Sequence, residues 1–537
     1  MSSHDETLFL NGRFVDPSAG AEPLGEALLA RAGTIVYVGS EPQARAQAVP
    51  GAKKIDLGGR TAVPGFVDAH VHLQSLGAML SQCDLSGTAS RREALDRLAA
   101  FARAHAEAAW IRARGYNLNA WDDPAYPTAR ELDEAVSDRP CAAVSFDGHS
   151  AWVNSAALAA AGLDQGTTDP EGGVIVRDAR GRPTGCLLEA ATGLIYRAIP
   201  AEPDEAIDEQ LRQAIEEMAR RGHTGAHALA SEDPAATLER IQRLYPGGRC
   251  PLRIRLFGAF GDLDEIAAAS RQAAACHGRT RPAVRAQLTG VKCLIDGSLG
   301  SRTAWLFQPF TDDPRNQGLR LLEAGELRRR IAAANCAGVP LLCHAIGDRA
   351  CAEALRAFGD AGDPGAGNRI EHAQILRPED LDLFAQAGVA ASVQPGHLWT
   401  DWRPSDRFLG PQRARWSYAF RSLLDHGAVL AMGSDAPVVP PDPQASLHAA
   451  VTRTDADGRP PGGWYPEECI TPLEWAVAAS HGAWRSIGEG DRLGRLKPGM
   501  ACDLTVLSEH ILAAGFSDSL NWQADATVVA GELRFCT

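Results

Sequence analysis

Two histidines with one residue between them, His70 and His72 in PGFVDAHVHL, are the first residues of the chain whose type and spacing could do chemistry. On a strand, side chains two positions apart share a face. Both imidazoles can therefore reach one divalent ion from a strand end. Two hydrogen-bonded core histidines would show the same spacing, so the pair decides nothing alone. Other short apolar runs end in similar groups: His344 in VPLLCHAIGD, His372 in NRIEHAQ and Asp435 in AVLAMGSDAP, with Lys292 inside GVKCLIDG. Each has a local explanation, as a helix cap for Asp435, a backbone-bonded ring for His344 or His372, and a salt-bridged ammonium for Lys292. Coincidence on several strand ends is the weaker account. Four histidines and a carboxylate brought together suit zinc or a similar borderline divalent ion. Cys293 and Cys343 adjoin two of these residues, but alternation turns them to the opposite face, as buried thiols.

The elements that must position these groups alternate short apolar runs with Ala/Arg/Glu-rich helical segments, the pattern of βα units. Eight runs are strand candidates: GFVDAHVHL, GHTGAHAL, LRIRLFGAF, GVKCLIDG, VPLLCHAIG, NRIEHAQIL, VAASVQP and AVLAMGSD. Eight is the count that closes a (β/α)8 TIM barrel, whose reactive groups stand at the C-terminal ends of the strands. The expected fold class is therefore α/β. The stretch between the first and second runs is far longer than an ordinary βα loop. WIRARGYN and PCAAVSFDGHS inside it read as further strands; counting them into the barrel would give ten and break closure. Residues 85–205 are read instead as an inserted α/β lobe covering the active site. Residues 1–60 and 490–537 are β-rich and are expected to pair as a small β-sandwich, leaving 61–84 with 206–489 as the barrel. Asn11-Gly12 between two apolar runs predicts a hairpin, and 453–468 reads as one long surface loop.

Composition limits the function classes. The 537 residues are 45% hydrophobic and 22% charged, an ordinary globular balance. A net charge of −14 argues against a nucleic-acid partner, which would need a basic footprint. No basic-then-apolar leader opens the sequence, and no run approaches the ~20 apolar residues of a membrane helix. The 12 cysteines are scattered without CxxC pairs, as reduced thiols would be. A cytoplasmic location and no membrane partner are expected.

The motifs PGFVDAHVHL, VKCLIDGSLGSRTA, CHAIGDRA, RIEHAQIL, SVQPGHL and GSDAPV together resemble the amidohydrolase superfamily. Within it the chain is similar to the branch that includes N-substituted formamide deformylases. FDGHSAWVNSAAL, GGVIVRDARGRPTGCLLEAA, DLGGRTAVPGFVDAH and LGRLKPGMACDLTVL carry the likeness into the insert and both ends. The resemblance implies a metal centre of His70, His72, Lys292, His344, His372 and Asp435, holding one or two zinc ions, with Mn2+ or Fe2+ as alternatives. With two ions, Lys292 would be carbamylated and bind through oxygen, since a free ammonium cannot ligate a cation. It also implies a small-molecule substrate and, as in relatives, a homodimer. Asp435 would take a proton from the attacking water and pass it to the leaving amine, with His344 as a further catalytic residue and metal ligand. The expected reaction is hydrolysis of an amide-type C–N bond, with cyclic amides, carbamates or esters as the enzymatic alternative. An inactive barrel acting as a binding or regulatory protein is the alternative of another class, though it should have lost ligands, and every expected position is filled.

Substrate contacts are assigned to five further residues. His149 in FDGHS either bonds the substrate or fixes the insert's own backbone. Arg302 in GSLGSRTA either binds a carboxylate or locks its glycine-rich loop. Trp399 and Trp402 in HLWTDW line an apolar pocket or pack an exposed loop. Asp296, four residues past Lys292, would orient a ligand.

Overall fold

The computed structural model describes residues 6–537 except 119–120, 122, 124, 146–147, 230–232, 278–283, 363–366 and 514–518. The chain divides into two compact units, Met1–Leu76 with Leu211–Thr537, and Gly77–Gln210.

The first unit contains eight strands: β1 Phe66–Val71, β2 His223–Leu229, β3 Arg253–Ala259, β4 Ala286–Leu294, β5 Leu341–Ala345, β6 Arg369–His372, β7 Ala390–Val393 and β8 Leu430–Met432. They hydrogen-bond in chain order, every neighbour parallel. All eight expected apolar runs are these strands. Most of their residues are buried, as parallel strands covered on both faces require. The ring closes where β8 ends beside β1: Asp435 N donates to His70 O at 2.7 Å and His72 N to Ala436 O at 2.9 Å. Asp68 reinforces this join by accepting from Ser434 N at 3.0 Å and Ser434 Oγ at 2.6 Å. Gly433 is required here, because a Cβ would stand 2.6 Å from His70 Cβ.

Two further sheets in this unit come from the chain ends. One runs Thr34–Gly39, Ala27–Arg31, Glu6–Leu10, Lys53–Asp56. The other runs Arg13–Phe14, Thr61–Pro64, Leu504–Leu507, Ala524–Val529, Glu532–Cys536. Phe9, Phe14, Ile35, Leu504 and Val528 share one core between them, making a sandwich.

Two local expectations are corrected. Asn11 does adopt the left-handed φ of 49° that its Asn-Gly pair favours. The flanking segments nevertheless pair in different sheets: Glu6–Leu10 with Ala27–Arg31 and Lys53–Asp56, Arg13–Phe14 with Thr61–Pro64. The turn hands the chain from one layer of the sandwich to the other, so no hairpin forms. The segment 453–468 is not wholly a surface loop, because Arg453 is fully buried and donates to the carbonyls of Trp464, Tyr418 and Ser417.

The second unit is built on one six-stranded sheet, ordered Gly173–Arg177, Pro183–Glu189, Ser150–Val153, Cys141–Ser145, Ile111–Tyr116, Cys83–Asp84. Alternation gives the sheet two cores: Cys141, Ala143 and Trp152 pack with Leu98 and Tyr116, while Ala142, Ala151 and Val153 pack with Leu158 and Leu187. The two runs read as strands inside the insert belong to this sheet. The described cysteines are all free thiols, most of them buried. Among the described residues, no helix is long and apolar enough to cross a membrane.

Candidate metal centre

The six residues named as a ligand set all stand at or just beyond the C-terminal parts of β1, β4, β5, β6 and β8. His70 and His72 present Nε2 to the same atom, Asp435 Oδ1, each at 3.2 Å. Lys292 Nζ lies 3.5 Å from His70 Nε2. The His372 ring centroid is 5.0 Å from that of His70 and 4.5 Å from that of His344. His70, His372 and Asp435 bring one ligand atom each within 4.8 Å of one another. Asp435 and His372 hold left-handed φ values of 60° and 72°, a conformation L residues adopt at a cost and that concentrates at working sites.

The electrostatics favour a cation. Burial alone would raise the Asp435 carboxyl, but the His70, His72 and His372 rings hold it well below the usual carboxylate range. Burial pulls the His344 ring down to about 4 and the His372 ring well below its ordinary value, so both are neutral; His344 Nε2 meets the Gly297 carbonyl at 3.1 Å, which leaves its Nδ1 to ligate. His372 Nδ1 is buried with no hydrogen-bond partner among the described residues. A buried nitrogen in that state calls for a ligand. For His70 burial pulls downward, yet Asp435 and Glu371 leave the ring raised on balance. Burial lowers the Lys292 ammonium. This donor set and its orphaned nitrogen fit a divalent metal.

Glu371 is a residue the sequence reading passed over. It is fully buried, and its Oε2 accepts from His70 Nδ1 at 2.6 Å. Against the cost of burial, Arg369 and His70 hold this carboxyl well below its usual range. Arg369, bonded to the other oxygen, also reaches His227 Nδ1 at 2.9 Å and the carbonyl of Ala69 at 2.6 Å. A carboxylate on the far nitrogen of a histidine fixes its tautomer and turns the other nitrogen outward. The clue was Arg369 two residues before Glu371 on a buried strand, where both side chains share a face and must pair.

The remaining candidates make contacts of their own. Asp296 is fully buried and accepts from Trp305 N, Ile346 N and Gly347 N at 2.8–3.0 Å, tying the segment after β4 to the end of β5. It stands 3.8 Å from His344 Nε2, and burial pushes its carboxyl up to about 7. Arg302 is paired through two nitrogens to Asp312 and lies 4.1 Å over the Phe408 ring, the loop-locking arrangement. Trp399 and Trp402 sit on the helix Leu398–Leu409 rather than an exposed loop. Trp399 packs edge-on against His448 at 6.1 Å, and Arg403 lies 4.5 Å over the Trp402 ring. His149 belongs to the second unit, where Nδ1 meets Glu189 Oε2 at 2.8 Å. Cys293 and Cys343 face each other, Sγ to Sγ at 3.5 Å.

An eight-stranded parallel barrel with histidines, lysine and aspartate gathered at one end is the architecture of a metal-dependent hydrolase. A family model described as "Amidohydrolase family" matches residues 53–535. The chain is 31% identical to the putative amidohydrolase YtcJ of Bacillus subtilis, over 95% of this chain and 96% of that one. It is 26% identical to the N-substituted formamide deformylase of Arthrobacter pascens, covering 95% of each. A solved metal-dependent hydrolase of Pyrococcus furiosus superposes with a TM-score of 0.75 at 26% identity, covering 95% of this chain and all of that one. The chain belongs to the amidohydrolase family, and is a hydrolase of carbon–nitrogen bonds.

Proposed function

We propose that this enzyme hydrolyses the amide bond of a small N-substituted amide, a formamide in the first instance, using a centre held by His70, His72, His344, His372, Asp435 and Lys292. The observation that carries the reading is the meeting of His70 and His72 on Asp435 Oδ1, with His372 grouped beside them and its Nδ1 buried and unpartnered among the described residues. A divalent ion bound there, zinc in the first instance, supplies an acidified water and a positive charge for a carbonyl oxygen. The likeness to a formamide deformylase supports the formyl group as the acyl part.

The chain's own groups do the rest. Asp435 Oδ1 is engaged by two rings, which leaves Oδ2 to accept a proton from water and return it to the departing nitrogen. Glu371 keeps a hydrogen on His70 Nδ1 so that Nε2 faces the centre. Lys292 is proposed to be carbamylated and to join two ions: burial favours its neutral amine, the form that adds CO2 with loss of one proton.

The test is a hydrolysis screen of protein reconstituted with zinc or manganese. It contains N-alkyl and N-aryl formamides, N-acyl amino acids, cyclic amides and esters. Release of formate and amine is expected. No turnover of any formamide would remove the formyl assignment, and no turnover of any amide would remove the proposal.

A further inference from the structure

At the end of β6 two consecutive residues other than glycine, His372 and Ala373, hold left-handed φ values of 72° and 42°. Each such residue costs stability unless its surroundings impose the conformation. Glycine would take either angle without that cost, and neither position carries it. The first of the pair belongs to the proposed ligand set, so whatever imposes the pair also aims the His372 ring.

The chain just beyond the pair is pinned on two sides. Ile375 N donates to Ile346 O at 2.9 Å, one residue past β5. Tyr418 N donates to Gln374 O at 2.8 Å, and Leu376 N to Trp416 O at 3.1 Å. The side chain of Gln374 adds a third tie. It is buried, and its Nε2 donates to Asp401 Oδ2 at 3.0 Å. The same oxygen accepts from Tyr418 Oη at 2.8 Å. Asp401 stands in the first turn of the helix Leu398–Leu409, so it reaches Gln374 from a different element. Tyr418 has a left-handed φ of its own, 56°, and buried Arg453 donates to its carbonyl at 2.7 Å. Hydrogen bonds to a carboxylate are the stronger kind. Two of them, from donors on the two strands of chain that meet here, lock those strands together. These bonds go to the segments flanking the ligand rather than to its ring.

We propose that Asp401 is a positioning residue of the metal centre: by clamping Gln374 to Tyr418 it imposes the left-handed pair His372–Ala373 and so presents the His372 ring. This rests on the metal-centre reading above. Without the clamp the pair relaxes toward ordinary backbone angles. The binding-competent turn is then only partly populated, and apparent metal affinity falls by that fraction. Such a clamp can be bypassed, whereas a general support of the fold cannot. Glycine at position 373 takes the left-handed angle without the penalty alanine carries, and so restores the turn without restoring Asp401.

The experiment measures zinc affinity of the full chain by competition with a chromophoric chelator, with the thermal midpoint of the metal-free protein alongside. Ala373→Gly alone is the reference for the double variants. Asp401→Ala should weaken zinc binding about tenfold. Combining it with Ala373→Gly should bring affinity back to within about threefold of that reference. Gln374→Met, which fills similar space without a donor, should show the same loss and the same recovery. Unchanged affinity in either Asp401→Ala or Gln374→Met would overturn the proposal, as would a loss that Ala373→Gly leaves in place. If Asp401→Ala fails to fold, Gln374→Met and its double variant decide alone. A wild type that binds no zinc would remove the centre and this proposal with it. A wild type that binds zinc beside unaffected variants would remove only the clamp.

Discussion

The barrel buries polar groups at both of its ends and uses them in opposite ways. Where strands begin, Arg253 is bonded through two nitrogens to Asp503, and Arg255 meets Glu489 at 2.9 and 2.8 Å. Asp503 also accepts from Ala530 N, and Glu489 from Gln287, so these charges are answered by partners. Where strands finish, His372 Nδ1 and His397 Nε2 are equally buried and have no partner among the described residues. Burial without a partner is costly. The strand-start end answers its buried charges, although His223 Nδ1 there is also without a partner among the described residues; at the other end two bare nitrogens stand near one carboxylate, where a ligand must enter.

Four variants or conditions would break or sharpen this contrast. The largest effect is expected from Asp435→Asn, which should lower kcat about 10²–10⁴-fold in steady-state assays of the metal-loaded enzyme. Near-normal turnover with metal bound would remove Asp435 as the proton carrier. Arg253→Ala, at the closed end, should cost about 3–5 kcal/mol in urea unfolding by stranding the buried Asp503. Metal content of the folded protein should not change, and a parallel loss would show that the two ends are not independent. Glu371→Gln should weaken metal binding about 10–100-fold in competition with a chromophoric chelator, and unchanged affinity would make Glu371 a partner of Arg369 alone. The smallest effect is one of pH. The His70 ring is raised above 6.5, and only its neutral form ligates, so protons should compete with metal already above pH 6.5. Apparent affinity is expected to fall as pH drops through that range, by up to about tenfold per pH unit, read by titration calorimetry. Affinity flat between pH 8 and 6 would contradict the raised ring.

The eight barrel strands were legible because each is a short, mostly apolar run, and the few polar positions, such as Arg253 and Arg255 on β3 or Arg369 and Glu371 on β6, are buried in pairs. The ligand types were legible because histidine, lysine and aspartate are rare endings for such runs. Glu371 was less legible because it alternates with His372 on the strand, although Arg369 two positions earlier, on the same face, marks a buried pair. His397 escaped because it follows Pro395-Gly396 and stands on a turn rather than at a strand end. The Asn11-Gly12 turn shows the converse limit: its backbone geometry is local and was readable, but which sheet each flank joins depends on partners far along the chain. Arg453 makes the same point, since its carbonyl partners come from Tyr418 and Ser417 as well as from nearby Trp464.

The join between β8 and β1 has a mechanical meaning. A belt of eight strands needs one buckle, and here its pins are Asp435, His70 and His72, through their own backbone bonds. Those same residues turn their side chains toward one another, so a cation gripped between them would tighten the buckle from inside. Amide exchange at Asp435 and His72 should therefore slow on loading before any distant amide does. Fastening and reactivity are vested in the same three residues, and a barrel that comes unclasped there cannot keep its chemistry.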